Sequence, residues 1–182
     1  QEDIIQRHFT NPQETDPRVL QLRNKALKCF YYWTKGWSKV LWGHNGNVNS
    51  VMKLNETTIV SGSADGTLRV WDLTTNWIRS RELRGHTDEV NSVIKLNETT
   101  IVSAGGIGDN MRVWDLTNNT SRVLQRDMAV VVVMKLNETM IVSVSYDNIL
   151  RVWDLTDMNN VTSRELRGHT NTVYSIVKIN ET

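Results

Sequence analysis

The chain contains one cysteine, Cys29, so neither an internal disulfide framework nor a cysteine-based zinc site is available to it. It has two prolines, Pro12 and Pro17, and everything after them runs without one. That is the expected condition of a region made mostly of hydrogen-bonded sheet, where proline removes a ladder donor. It also lacks an excess of either charge: 21 Lys and Arg against 20 Asp and Glu give a formal net charge of +1. The electrostatic case for nucleic acid, which calls for a clearly basic face, is therefore missing. No apolar run approaches the roughly 20 residues of a membrane-spanning helix. The longest, residues 129–134, has the length of a strand. With 39% apolar and 23% charged residues among 182, the composition is that of a folded chain rather than a disordered tail. Length alone suggests one domain of roughly 100–200 residues.

What is present is repetition. Leu54-Asn55-Glu56-Thr57 returns as Leu96-Asn97-Glu98-Thr99, as Leu136-Asn137-Glu138-Thr139 and as Ile179-Asn180-Glu181-Thr182, at offsets of 42, 40 and 43 residues. A lysine precedes each copy: Lys53, Lys95, Lys135 and Lys178. Arg-Val-Trp-Asp-Leu begins at Arg69, Arg112 and Arg151, and Gly-His stands at Gly43-His44, Gly85-His86 and Gly168-His169. Several motifs in one order at one period define a repeat architecture. A first residue of Gln rather than Met, and a last residue inside a motif, lead us to expect a piece of a longer protein.

Each unit reads as four short strands. In the first unit these are 48–54, 58–61, 67–73 and 80–83, with a polar reversal at Asn-Glu-Thr. Ala64-Asp65-Gly66 forms the next turn, and Asp-Gly is a strong hairpin signal. The fourth strand is short and charged, as at 121–124 and 163–166, with an earlier copy at 38–41. Charge suits an outer edge, where exposed backbone groups would otherwise invite foreign pairing.

A period of about 40–45 residues, four strands per unit and a Gly-His…Trp-Asp signature resemble the WD-repeat β-propellers. The resemblance covers residues 38–182. It implies an all-β fold of about three complete four-stranded blades plus one strand of a fourth. It also implies a hydrogen-bonded set in each blade, linking a His, a strand Ser, a turn Asp and the Trp. Carried onto this sequence, the sets are His44, Ser61, Asp65 and Trp71; then His86, Ser103, Asp109 and Trp114; then Ser143, Asp147 and Trp153; with His169 opening a fourth. The insert 105–108 makes Asp109 an irregular member. The third set has no histidine, because Asp127 or Arg126 falls at that corner depending on the direction of counting. We therefore expect the third blade to be the most weakly tied, and its Val130–Val133 run to be an aggregation hazard if exposed.

A Ser-His-Asp combination invites a hydrolase reading. Repetition with the architecture argues against it, since a catalytic triad has no reason to recur in each blade. A buried Trp N–H does need a partner, and this set supplies one. Three histidines in separate blades cannot converge within about 2.0 Å of one ion, so no metal is expected. Asn55, Asn97, Asn137, Asn180, Asn118 and Asn160 begin formal glycosylation sequons. A tight polar hairpin explains the first four as well as modification does.

Residues 1–37 lie outside the repeat. Asp16-Pro17 reads as a helix start and Gly36 as a stop. Between them Val19, Leu22, Ala26, Phe30 and Trp33 follow helical spacing, giving an expected helix over about 17–34. It would cover one surface of the propeller or link to an upstream domain.

The resemblance implies a non-catalytic scaffold that binds other proteins through loops at one rim of the blades, with no cofactor and a cytoplasmic setting. Its rim positions correspond to Asn49, Asn91, Val131 and Tyr174; to Asn47, Glu89, Ala129 and Thr172; and to Ala64, Gly108 and Tyr146. Tyr146 and Tyr174 are the first candidates for a hot spot, followed by Asn49, Glu89 and Asn91. Two narrower functions remain open. The chain is similar to F-box/WD-repeat substrate receptors of ubiquitin ligases, although it carries no F-box and no rim arginine. A second receptor type has Arg two positions after Trp-Asp, where Thr74, Thr117 and Thr156 stand here. The other function is a regulatory propeller of an enzyme such as a kinase. Three blades and a strand do not close a ring of the usual 4–8 blades, so we expect self-association through the open edges, or instability.

Overall fold

The structure is a computed structural model and describes residues 40–74, 79–108, 111–125 and 129–179. The expected helix over 17–34 lies outside these residues, as do Asp109, Arg126, Asp127 and Asn180. The chain divides into two units, Gln1–Leu41 and Trp42–Thr182. The second contains every described strand.

Twelve strands form three four-stranded antiparallel meanders. The first blade is β1 (Val48–Asn55), β2 (Thr58–Ser63), β3 (Thr67–Asp72) and β4 (Arg79–Arg84). The second is β5 (Val90–Lys95), β6 (Thr100–Gly105), β7 (Met111–Asp115) and β8 (Thr120–Gln125). The third is β9 (Val130–Lys135), β10 (Met140–Ser145), β11 (Leu150–Asp154) and β12 (Thr162–Leu166). The all-β architecture and the three four-stranded sheets agree with the repeat read from the sequence. Residues 171–179, which include most of the first strand of the fourth unit, carry no strand pairing among the described residues.

Turn chemistry explains the meanders. In the β1–β2 reversal Asn55 Oδ1 accepts from the Thr57 N–H and hydroxyl at 2.9 and 3.2 Å, and Lys53 pairs with Glu56 at 2.6 Å. Asn97 with Thr99 and Asn137 with Thr139 repeat this bonding. In the β2–β3 turn Gly66 takes φ 76°, a value costly for most L-residues, and its N–H donates to Ser63 O at 3.1 Å. The third blade makes the same turn with Asn148 at φ 66°, bonded to Ser145 O at 3.1 Å. Asparagine is one of the few side chains that tolerates this region.

The core lies between blades. Strand pairing puts Met52, Leu54, Val60, Leu68 and Leu83 on one face of the first blade, here called its trailing face. They pack on Val90, Val93, Ile101 and Trp114 of the second blade's leading face. Leu96, Val102, Met111 and Val113 then pack on Val130, Val133, Ile141 and Trp153. Gly62 marks a close approach across the first seam: a Cβ there would lie 2.6 Å from Val90 Cγ1. The equivalent positions hold Ala104 and Val144.

Each first strand carries a bulge. Register shifts fall between Val48 and Ser50, between Val90 and Ser92, and opposite Val144 and Ser145. Asn49, Asn91 and Val131 are the extra residues. A bulge re-aims a side chain and flips the alternation after it. That is why Val48 and Val51 share a face despite their odd spacing. The valine-rich β9 is placed well: Val130 and Val133 are buried and Val131 and Val132 half-buried.

Candidate functional site

The bonded set of the first blade sits on its leading face. Trp71 Nε1 donates to Ser61 Oγ at 2.8 Å, and Ser61 Oγ lies 2.7 Å from His44 Nε2. His44 Nδ1 lies 3.0 Å from Asp65 Oδ2. Asp65 also accepts from Asn45 N, Thr67 N and the Thr67 hydroxyl. Burial pushes the Asp65 carboxyl up, but the Thr67 hydroxyl, the Asn45 N–H, His44 and the Thr67 N–H outweigh it and hold the group well below its ordinary range. An ionised Asp65 only accepts, so His44 carries a proton on Nδ1, and in the neutral imidazole Nε2 then accepts from the Ser61 hydroxyl. The chain of donors runs one way, from Trp71 through Ser61 and His44 to Asp65, and no member is left unsatisfied.

Three of these groups have the connectivity of an acyl-transfer triad, yet the chemistry is blocked. Ser61 is buried, and its oxygen already accepts the indole N–H. A nucleophile needs an exposed oxygen near a site for the reacting carbonyl.

The second blade brings His86 Nε2 to 2.6 Å from Ser103 Oγ, which accepts from Trp114 Nε1 at 2.7 Å. The third pairs Trp153 Nε1 with Ser143 Oγ at 2.8 Å, and Asp147 turns elsewhere, to the Arg151 guanidinium at 2.7 Å. Burial raises the Asp147 carboxyl, and bonding to Arg151 and Ile149 N overcomes this and lowers it. Arg151 also bonds to Glu165 at 3.0 Å, as the equivalent Arg69 of the first blade does to Glu82 at 2.7 Å, but Arg69 adds Ser80 and not the turn aspartate. His169 is exposed beyond β12. Among the described residues no three His, Cys, Asp or Glu side chains gather as a metal-ligand set.

The Trp-Asp aspartates close the turns after the third strands. Asp72 Oδ1 accepts from the Thr74 N–H and hydroxyl, and Asp154 from those of Thr156. Asp115 accepts from Thr117 N and Asn118. Bonding to the Thr74 hydroxyl is the main reason the Asp72 carboxyl is lowered.

At the rim, Asn49 Nδ2 donates to Val90 O and Asn91 Nδ2 to Val130 O, both at 3.2 Å. Glu89 is exposed. Tyr146 and Tyr174 are each more than half exposed. Tyr146 N donates to Ala129 O at 3.1 Å, and the Thr172 hydroxyl lies 3.4 Å from Asn148 Oδ1. Those two contacts bring the loops carrying both tyrosines to one corner of the third blade.

Sequence reasoning missed a second repeated set, which ties neighbouring blades. Ser50 Oγ accepts from Val93 N at 3.0 Å, and Ser92 Oγ from Val133 N at 3.3 Å. Lys95 Nζ donates to Leu54 O at 2.7 Å, and Lys135 Nζ to Leu96 O at 2.5 Å. With the two asparagines, these side chains satisfy backbone groups on the open edges of neighbouring first strands, the serines and asparagines in the next blade and the lysines in the blade before. The recurring Lys and Val-Asn-Ser were visible signals.

The family profile described as WD domain, G-beta repeat matches residues 37–72, 77–115 and 131–154, more than half of the chain. The chain belongs to the WD-repeat family. Solved structures agree on the fold. The computationally designed Ika4 protein superposes with a TM-score of 0.65 at 24% identity, over 78% of this chain and 85% of that one. The WD40 β-propeller domain of Doa1 gives 0.59 at 24% identity, over 74% of this chain and 44% of that one. A chain of the mitotic checkpoint complex gives 0.63 at 17% identity, over 74% and 43%. This WD-repeat chain thus spans less than half the length of the latter two. No protein with a curated description matches it.

Proposed function

We propose that this WD-repeat chain is a non-catalytic scaffold that binds other proteins at the rim where the blades' first strands begin. The observation that carries the reading is the exposure of Tyr146 and Tyr174 on loops held at one corner of the third blade. Exposed tyrosines on fixed loops combine large contact area with little conformational freedom to lose, which is how hot spots are built. The satisfied sets beneath the rim supply rigidity. The formal charge of +1 fits protein surfaces better than nucleic acid.

A substrate receptor of a ubiquitin ligase and a regulatory propeller of an enzyme are narrower forms of the same role. None of the eleven rim positions is Arg, and Thr74, Thr117 and Thr156 each bond to a Trp-Asp aspartate. No described residue favours either form.

The test is affinity capture from cell extract with the chain and with a Tyr146→Ala, Tyr174→Ala double variant. We expect a protein retained by the first and lost by the second, at unchanged melting temperature. Identical retained sets would remove the rim from consideration.

A further inference from the structure

Asn45-Gly46 is the only Asn-Gly pair in the chain, and it stands at the corner that leads from His44 into β1. Asparagine before glycine is the pair in which a main-chain nitrogen most readily reaches the side-chain amide, because no Cβ shields that nitrogen. Both residues are exposed. The equivalent Thr87 and Asp88 are exposed as well, although the second blade packs on a neighbour at each face. Exposure of Asn45 therefore follows from its place at the rim, not from a missing neighbour.

The two reacting groups are free while the frame around them is fixed. Among the described residues the Gly46 N–H has no acceptor and the Asn45 side-chain amide no partner. Asp65-Gly66, the comparable pair in the next turn, is tied at both groups: Gly66 N donates to Ser63 O at 3.1 Å, and the Asp65 carboxylate takes four bonds. Asn55, Asn97 and Asn137 are held by their own threonines. Glycine at 46 is also required by packing. A Cβ there would lie 2.8 Å from Asp65 N and 3.1 Å from the Ala64 carbonyl carbon. The second blade meets the same contact in reverse, with a side chain at Asp88 and glycine opposite it at Gly106. The packing that demands Gly46 thus leaves the Asn45 amide open to attack.

We propose that Asn45 is a site of spontaneous deamidation, whose products loosen the entry corner of the first blade. Gly46 N gives its proton to solvent base and attacks Asn45 Cγ. The N–Cγ bond forms, the Cγ–Nδ2 bond breaks, and the amide nitrogen leaves as ammonia. Closure of this five-membered ring is intramolecular and gains from proximity. Water then opens the succinimide: cleavage at Cγ gives aspartate, and cleavage at the main-chain carbonyl gives isoaspartate. Either product adds a carboxylate, which cancels the formal charge of +1 and sets a like charge near Asp65, whose Oδ2 lies 2.8 Å from Asn45 N. Isoaspartate also routes the main chain through Cβ. That adds one atom between two fixed bonds, Asn45 N to Asp65 Oδ2 and Ala64 N to Asn47 O, both at 2.8 Å. The longer link cannot hold both, so Asp65 is released, and with it the orientation of His44.

The test ages the folded 182-residue chain in warm, mildly alkaline buffer and follows it by peptide mass mapping, with isoaspartate read by a methyltransferase specific for it. We expect Asn45 to convert at least about tenfold faster than any other described asparagine, a barrier lower by about 1.4 kcal/mol or more. Converted protein, separated by its charge, should melt at least about 2 °C below fresh protein. Asn45→Thr installs the residue that the second blade carries at Thr87 and keeps the backbone N–H, so it should age without either change. The urea-unfolded chain gives the reference rate. An Asn45 that stays intact in the folded chain while it converts in urea would overturn the site. Converted protein that melts like fresh protein would overturn its effect on the blade.

Discussion

The first and third blades share length, strand order and the Trp–Ser bond, and differ in what the serine and the turn aspartate meet beyond it. In the first, Ser61 lies between Trp71 and His44, and Asp65 collects four donors including the imidazole. In the third, Ser143 has Trp153, and Asp147 pairs with Arg151. Asp147 is retained at the same turn, yet it makes a different ion pair because the residue that would orient it is absent from that corner's motif. A turn aspartate will take the nearest good donor. The histidine decides whether that donor links the turn to the buried tryptophan or to the outer charged strand.

Seams show the same contrast. Val131 and Val132 stand where the other blades have Asn49 and Ser50, or Asn91 and Ser92, so the third blade offers the next first strand no amide and no hydroxyl. Residues 173–179, on the far side of that seam, form no ladder. The two earlier seams have both groups and are backed by regular sheets.

Five substitutions would break or sharpen this comparison. The largest effect is expected from Ser61→Ala, which orphans the Trp71 N–H and a His44 nitrogen together, at about 3 kcal/mol. Ser143→Ala removes one bond and should cost roughly half as much. Equal losses in urea denaturation would erase the distinction between the blades. Next is Gly62→Val, which places in the first blade the residue that the third carries at Val144. The 2.6 Å contact to Val90 Cγ1 makes overpacking the expected result, at about 2 kcal/mol by thermal melting.

Asp65→Asn should cost about 1 kcal/mol near neutral pH, because neutral amide bonding replaces bonds to a carboxylate. The folded carboxyl titrates below its ordinary value of 3.8. Its contribution is therefore full above that value and is lost as pH falls through the folded pKa. The variant should show a shallower acid limb than the parent in pH-dependent denaturation, and coincident limbs would contradict the assignment. The smallest effect is expected from Val132→Ser, which restores an acceptor for Ile176 N. We expect a gain of about 0.5 kcal/mol, read as slower hydrogen exchange at the Ile176 amide.

Much of this architecture was legible in the sequence because repetition is a property of the chain itself. Asn-Glu-Thr and Trp-Asp at one period, with Gly-His before three of the units and Asp-Gly or Asp-Asn in the next turn, mark where the strands start and stop, and three blades follow. The strand pairing was legible through the turns, since Asn-Glu-Thr and Asp-Gly each admit one tight geometry. What could not be read was the direction in which polar side chains reach across a seam. The bulges at Asn49 and Asn91 aim those residues at the neighbouring blade, and their mark, one odd spacing between valines, is too brief to read in a six- to eight-residue strand. The exchange of partner at Asp147 was equally hidden, because Arg151 sits in a motif identical to those containing Arg69 and Arg112. Its choice depends on a missing neighbour, which is a spatial fact.

The seam bonds have a consequence for how such a chain changes length. First strands supply the bonds themselves: Ser and Asn of the first two blades for the blade that follows, Lys of the second and third for the blade before. A repeat thus arrives in the gene with both sides of its contact already encoded. Duplicating or deleting one unit of about 40 residues leaves the remaining junctions chemically intact. Units that have drifted, as the third has at Val131 and Val132, are then the natural points at which an array is cut or rejoined.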